Sequence, residues 1–164
     1  MTNAVIGIGT NMGNRYENIN KAVKAVSLLP NTKVSQASHI YETNPVDYKN
    51  QEKFLNANII VQTTMSPMAL LGACLGIESA FGRVRTIKDG PRILDLDLLL
   101  YEGVKSDSFE MTLPHPKIMT RAFVMVPLMD LFPQGRATGL YFGPHLKEIG
   151  SDGVDRYDKE IILP

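Results

Sequence analysis

An α+β fold with the element order β-α-β-β-α-β is what the sequence predicts, on three observations. Two helical stripes, formed by Ile19, Ala22, Val23, Val26 and by Leu70, Cys74, Ile77, Phe81, are interleaved with apolar runs of strand length. One of those runs, Phe54 to Thr64, alternates with a period of two: Leu55, Ala57, Ile59 and Val61 point one way, Phe54, Asn56 and Asn58 the other. Each helical stripe opens on a capping residue and closes on a stop signal. A mainly antiparallel sheet carrying two helices on one face, the split βαβ or ferredoxin-like arrangement, accounts for that order.

Ala4 to Gly9 reads as a buried strand ending in a glycine turn. Asn14 with Glu17 then gives a capping-box signature for a helix to about Leu29, which Pro30-Asn31 stops. A second strand is expected from Lys33 to Glu42, followed by a polar loop to Lys53 and the alternating third strand. Ser66-Pro67 starts the second helix, and Gly82 suits its end. A charged loop, Arg83 to Arg92, leads into a fourth strand, Ile93 to Tyr101. Beyond it, Pro114-His115-Pro116 must be loop, Thr120 is expected to cap a helix that Pro127 interrupts, and extra C-terminal helices and loops follow. The expected layout is a single domain over 1–164, with a core at about 4–133 and a peripheral tail at 134–164; its last residues, Glu148 to Pro164, hold five acids against two bases.

With 164 residues, 44% hydrophobic and 21% charged, the chain carries enough apolar material for a packed core. Seventeen basic and 17 acidic side chains cancel, which argues against a dedicated nucleic-acid binder or a polybasic membrane-surface protein. A single cysteine, Cys74, can form neither an internal disulfide nor a cysteine-based zinc site. With no signal-peptide pattern and no long apolar run, a cytoplasmic protein with no obligate protein partner is expected.

The chemistry concentrates on the fourth strand. Asp95 and Asp97 project from one face while Leu94, Leu96, Leu98 and Leu100 are expected on the other. Carboxylates one pleat apart, about 6–7 Å between β-carbons, suit a pair of Mg²⁺ ions clamping a phosphoryl group. A solvated strand face holding two acids is the plainer reading, at about even odds for an isolated motif. The preceding loop shifts the balance, because Arg83, Arg85, Lys88 and Arg92 put four phosphate-capable cations beside the acids. His115, held between two prolines, and Arg121 add further donors, although a lone histidine is more often structural. Phe54 and Asn56, both directed away from the core, could stack on and hydrogen-bond a flat heterocycle, or simply pack under a covering element. The segment Gly7 to Gly13 is one residue too long for a dinucleotide fingerprint and lacks the P-loop lysine, so it reads as a structural turn.

Together these residues resemble the 6-hydroxymethyl-7,8-dihydropterin pyrophosphokinases of folate biosynthesis. The resemblance spans about residues 4 to 133 and rests on Gly9-Thr10-Asn11-Met12-Gly13, Tyr41 to Val46, Phe54-Leu55-Asn56, Glu78 with Gly82 to Arg85, Gly90 to Asp97, and Pro114-His115-Pro116 with Arg121-Ala122-Phe123. It implies transfer of pyrophosphate from ATP to the pterin hydroxymethyl oxygen with release of AMP, and two Mg²⁺ ions held by Asp95 and Asp97. By the same resemblance, Glu78, Arg83, Arg85, Arg92, Leu98, Thr112, His115 and Arg121 would serve ATP, with Arg83 and Arg92 supporting the transfer itself. Thr43, Val46, Phe54, Asn56, Asp95 and Phe123 would form the pterin site, the two phenylalanines sandwiching the ring. Many relatives carry tryptophan where Asp89 stands, some carry tyrosine where Pro116 stands, and proline is frequent at the place of Asn44; the loop from Arg83 to Gly90 looks one residue shorter than their pattern. The alternatives are another two-metal nucleotidyl-transferring enzyme, or a non-catalytic nucleotide-sensing or RNA-binding module on the same sheet.

Overall fold

The computed structural model describes residues 1–46, 48–83 and 88–164. In chain order its strands and helices are β1 (Thr2–Thr10), α1 (Arg15–Ser27), β2 (Thr32–Ala37), β3 (Tyr41–Thr43), β4 (Phe54–Thr63), α2 (Pro67–Ala80), β5 (Asp95–Tyr101), β6 (Ser106–Asp107), β7 (Thr112–Leu113), α3 (Ala122–Leu131), β8 (Arg136–Ala137), β9 (Leu140–Tyr141), α4 (Gly143–Ile149) and β10 (Val154–Arg156). The main sheet is antiparallel throughout, in the order β10-β3-β4-β1-β5, with β2 pairing the far half of β4. This is the expected ferredoxin-like core. The second strand, however, is two strands rather than one. At Ser38 the ladder loses one bond: the Ser38 N–H still donates to the Asn58 carbonyl at 2.9 Å, but the Ser38 hydroxyl, not a carbonyl, accepts the Asn58 N–H at 2.9 Å. The strand β3 then resumes against the other end of β4.

Both expected helices form on one face. Asn14 Oδ1 accepts the Glu17 N–H at 3.0 Å, while the Glu17 carboxylate turns to Lys21 at 2.7 Å, so only half of the capping box is made. Ser66 caps α2 by accepting the Ala69 N–H at 3.2 Å. Ile19, Ala22, Val23 and Val26 of α1 and Leu70 and Cys74 of α2 are buried against Ile6, Ile8, Leu55, Ile59, Leu96 and Leu98 of the sheet. Leu100 departs from the expected alternation. A bulge in the β1–β5 ladder pairs Val5 with Leu100 but Ile6 with Leu98, so Leu99 and Leu100 both turn to the opposite face.

That opposite face is covered as well, in its lower half. Val124, Met125 and Leu128 of α3, with Phe142, pack on Val5, Ile60, Leu99 and Leu100. Arg121, not Thr120, is the N-cap of α3; the Thr120 hydroxyl bonds back to the Lys117 carbonyl inside a preceding 3₁₀ turn. Pro127 sits within α3 without ending it. The segment expected as a peripheral tail supplies α4 and then β10, which joins the main sheet beside β3. Among the described residues no helix is long and apolar enough to cross a membrane.

Candidate active site

The site is laid out by strand register. On the sheet face away from α1 and α2, Asn56, Gly9 and Asp95 lie side by side across β4, β1 and β5. One pleat further in, Asn58, Gly7 and Asp97 form a second row. In each row glycine is the middle member. A β-carbon at Gly9 would stand 3.0 Å from Asn56 Oδ1, and one at Gly7 would meet Leu99 at 3.2 Å. The glycines expected as a turn are therefore strand residues that leave a trough between the asparagines and the aspartates; the turn itself comes at Gly13, where φ is +69°.

Above the first row opens a pocket of about 460 Å³, counting its mouth. Thr43, Val46, Phe54, Asn56, Asp95 and Phe123, the six residues expected around a pterin, all line it. Asn56 Nδ2 donates to Thr43 Oγ1 at 2.6 Å, which fixes the amide and turns its oxygen toward Gly9. Each ring carries a guanidinium: Arg92 lies 5.5 Å from the centroid of Phe54, and Arg121 lies 5.4 Å from that of Phe123. The loops at the mouth are tied together. Asn11 accepts the Arg92 N–H at 2.9 Å and donates to Gln51 Oε1 and to the Glu52 carbonyl, both at 2.9 Å. Gln51 in turn donates to the Asp89 carbonyl at 3.0 Å. Asp89, at a φ of +55°, supplies a turn in the left-handed region that aspartate tolerates.

The acids sit in contrasting surroundings. Asp95 receives Arg83 at 2.6 Å on one oxygen and Arg92 at 3.3 Å on the other. Arg83 also reaches Glu78 at 2.9 Å, and the same carboxylate, 3% exposed, accepts the Leu96 N–H at 2.8 Å. Glu78 is thus enclosed behind the site, where it orients Arg83 and the start of β5. Asp97 has its pKa pushed well above the ordinary carboxylate range, first by burial and then by the charge of Asp95, against the opposing pull of Arg121. An oxygen-liking cation between these acids would favour the charged form of both.

Asp97 faces a second opening. A groove of about 570 Å³ runs along the outer edge of β5, between Leu71 of α2 and the segment from Glu110 to Pro116. Leu98, Thr112 and His115, three of the residues expected to serve ATP, line it. Burial and the neighbouring Arg121 lower the His115 pKa, so its ring is neutral at pH 7. Nδ1 accepts the Lys117 N–H at 3.2 Å, which leaves the proton on Nε2 as a donor. Arg92 and Arg121 line the pocket rather than the groove, Arg83 stands behind Asp95, and Arg85 lies outside the described residues. Gly9, Asn44, Gln51 and Asp89 also line the pocket and Asn11 ties its mouth, although the sequence pattern assigned none of them a place there. Of these, Gly9, Asn11 and Asn44 lay within motifs already singled out and Asp89 stood out only as a departure from the family pattern, while Gln51 needed the loop contacts.

Residues 5–133 match the family model described as 7,8-dihydro-6-hydroxymethylpterin-pyrophosphokinase (HPPK). The chain belongs to this family. It is 36% identical to the 2-amino-4-hydroxy-6-hydroxymethyldihydropteridine pyrophosphokinase of Methylorubrum extorquens, over 96% of this chain and 100% of that one. It is 41% identical to the folic acid synthesis protein fol1 of Schizosaccharomyces pombe, over 79% of this chain but only 18% of that longer protein. Among solved structures, a Plasmodium falciparum HPPK-DHPS with pteroate aligns at a TM-score of 0.69 and 15% identity, covering 98% of this chain and 48% of that one, a likeness of fold. As an HPPK, the chain is a pyrophosphokinase of folate biosynthesis. That reading takes precedence over the nucleotidyl-transfer, sensing and RNA-binding alternatives.

Proposed function

We propose that the pocket holds the dihydropterin ring, that the groove holds ATP, and that Asp95 and Asp97 hold two Mg²⁺ ions between them. One observation carries this: the two acids share a strand face two residues apart, yet Asp95 lines the pocket and Asp97 lines the groove. The strand β5 is therefore where an acceptor in one opening meets a phosphate chain in the other.

The donor set fits the ions. Among the described residues no group of three or more His, Cys, Asp or Glu side chains gathers to hold a metal. Two carboxylates alone suit Mg²⁺, which keeps waters and takes substrate phosphates as its remaining oxygen ligands. When bound, the ions would neutralise the phosphates and the charge developing on them. The chain's own residues do the rest. Phe54 and Phe123 hold the flat ring, Asn56 bonds its polar edge, and backbone groups near Thr43 and Val46 close the pocket. The hydroxymethyl oxygen then attacks the β-phosphorus of ATP. The bond from that phosphorus to the α,β-bridging oxygen breaks, AMP leaves with that oxygen, and the hydroxyl proton passes to water. Such a transfer depends on alignment and charge stabilisation rather than on a covalent intermediate. Arg83 and Arg92, pre-aimed through Asp95, supply forked donors to the phosphates, with Arg85, Arg121 and the Nε2–H of His115 steadying the chain. Glu78 serves ATP indirectly by orienting Arg83.

The test is to combine the protein with ATP, Mg²⁺ and 6-hydroxymethyl-7,8-dihydropterin and analyse the products. AMP with a diphosphorylated pterin is expected. Inorganic pyrophosphate in place of AMP would indicate nucleotidyl transfer, and neither product from a folded sample would overturn the proposal.

A further inference from the structure

The family match ends at residue 133, yet the chain beyond it returns to the pocket. The strand β3 is only three residues long and lies between β4 and β10. On its inner side Thr43 pairs with Phe54 and Tyr41 with Asn56, so the two strand residues of the pocket wall are laddered to it. On its outer side Val154 pairs with Thr43 and Arg156 with Tyr41. An isolated three-residue edge strand is a weak platform, since short ribbons gain stability from pairing on both sides.

The two ends of β3 are held by different parts of the molecule. Its first residue is pinned from below, where the Tyr41 hydroxyl donates to Asp130 of α3 at 2.8 Å. Its last residue, Thr43, and the following Asn44 are held by the C-terminal segment: the Asn44 N–H donates to the Gly153 carbonyl at 3.1 Å. The fit there is close. A β-carbon on Gly153, where φ is +78°, would fall 2.5 Å from Asn44 Nδ2. Thr43 and Asn44 both line the pocket, and Thr43 is the acceptor that fixes the Asn56 amide.

The segment is itself strapped down. The Tyr157 N–H donates to the Ile40 carbonyl at 2.8 Å, and Glu160 takes His39 at 2.9 Å and Arg156 at 2.9 Å. The Tyr16 hydroxyl donates to the Glu160 carbonyl at 2.8 Å, and the Ile162 N–H donates to Asn20 Oδ1 at 2.9 Å. Thus a strap crosses from the outer edge of the pocket strand to α1. We infer that Gly153 to Ile162 is a positioning element of the pterin pocket, holding Thr43 and Asn44 at its wall. This rests on the pocket being the pterin site. A pocket wall that wanders lowers affinity by the fraction of time it spends out of place, and the nucleotide groove, on the far edge of the sheet, would not feel it.

The experiment compares the full chain with a chain ending at Asp152, with Gly153→Ala, and with Glu160→Ala, which loosens the strap away from the pocket. Fluorescence titration gives the affinity for 6-hydroxymethylpterin in the presence of Mg²⁺ and α,β-methylene-ATP, and a separate titration gives the affinity for that nucleotide. The shortened chain is expected to lose about tenfold in pterin affinity, Gly153→Ala and Glu160→Ala severalfold, with nucleotide affinity preserved within about twofold. If the shortened chain does not fold, the two point variants carry the test. Unchanged pterin affinity in a folded Gly153→Ala protein, or equal losses for both ligands, would overturn the inference. Phe123→Ala separates the two readings: if it leaves pterin affinity intact, the pocket assignment fails, and if it weakens pterin while Gly153→Ala does not, the strap alone fails.

Discussion

The two rows that cross the sheet, Asn56-Gly9-Asp95 and Asn58-Gly7-Asp97, are built from the same three residue types in the same order. What separates them is their cover. The first row lies open under the pocket, and its asparagine is fixed by Thr43 with the amide oxygen left at the pocket floor. In the second row Asn58 is 2% exposed, donates to the Val124 carbonyl at 2.9 Å and so anchors α3 onto the sheet. The aspartates divide differently: Asp95 is already neutralised by two arginines, while Asp97 is half-buried and pushed by its surroundings toward its protonated form. One sequence pattern thus supplies an amide at a pocket floor, a structural anchor and two unlike carboxylates, and only the elements packed above decide which is which.

The comparison breaks first at the acids. Replacing either Asp95 or Asp97 by alanine should cut AMP formation by about three orders of magnitude or more, the usual scale for removing a main source of transition-state charge stabilisation, with the circular dichroism spectrum retained. Near-normal turnover by either folded variant would remove the metal assignment. Next come the asparagines, whose substitutions should separate. Asn58→Ala leaves a buried carbonyl without its donor, costing about 1–3 kcal/mol and lowering Tm by several degrees, with the pterin KM unmoved. Asn56→Ala should raise the pterin KM by about tenfold, near the worth of one buried hydrogen bond, with a smaller change in Tm. The reverse pattern in steady-state kinetics and thermal melts would show that the rows had been misassigned.

Glycine substitutions should give intermediate effects. Gly9→Ala pushes a methyl group against the Asn56 amide and should raise the pterin KM, whereas Gly7→Ala presses on Leu99 and should show mainly as lost stability. The smallest effect is a pH-dependent one in metal-free protein. Because the folded pKa of Asp97 is raised, folding takes up a proton there, so stability falls as pH rises from the ordinary carboxylate range through the raised value. Asp97→Asn should therefore melt about 3 °C or more above the parent at pH 8, roughly 1 kcal/mol of relief, with the gap vanishing by pH 4. A constant gap across that range would place the cause elsewhere.

Much of this was legible in the sequence because alternation reports which side chains share a face. That is how Asp95 with Asp97 and Phe54 with Asn56 stood out before any pairing was known. Register is another matter. Nothing local states that Gly9 lies between Asn56 and Asp95, so the glycines read as a turn. The bulge that redirects Leu100 and the break at Ser38 are set by partner strands, and period-two reading cannot see either. The C-terminal segment is a related case: its charge suggested a peripheral tail and gave no sign of β10, because an edge strand needs only three residues and a partner backbone.

The central claim, that the two carboxylates of β5 join pocket and groove through metal ions, is tested most directly by counting ions. Mn²⁺ titrated into the protein with α,β-methylene-ATP and 6-hydroxymethylpterin should bind at two sites per chain by electron paramagnetic resonance, falling to one or none in Asp97→Ala. Two undiminished sites in that variant would contradict the account.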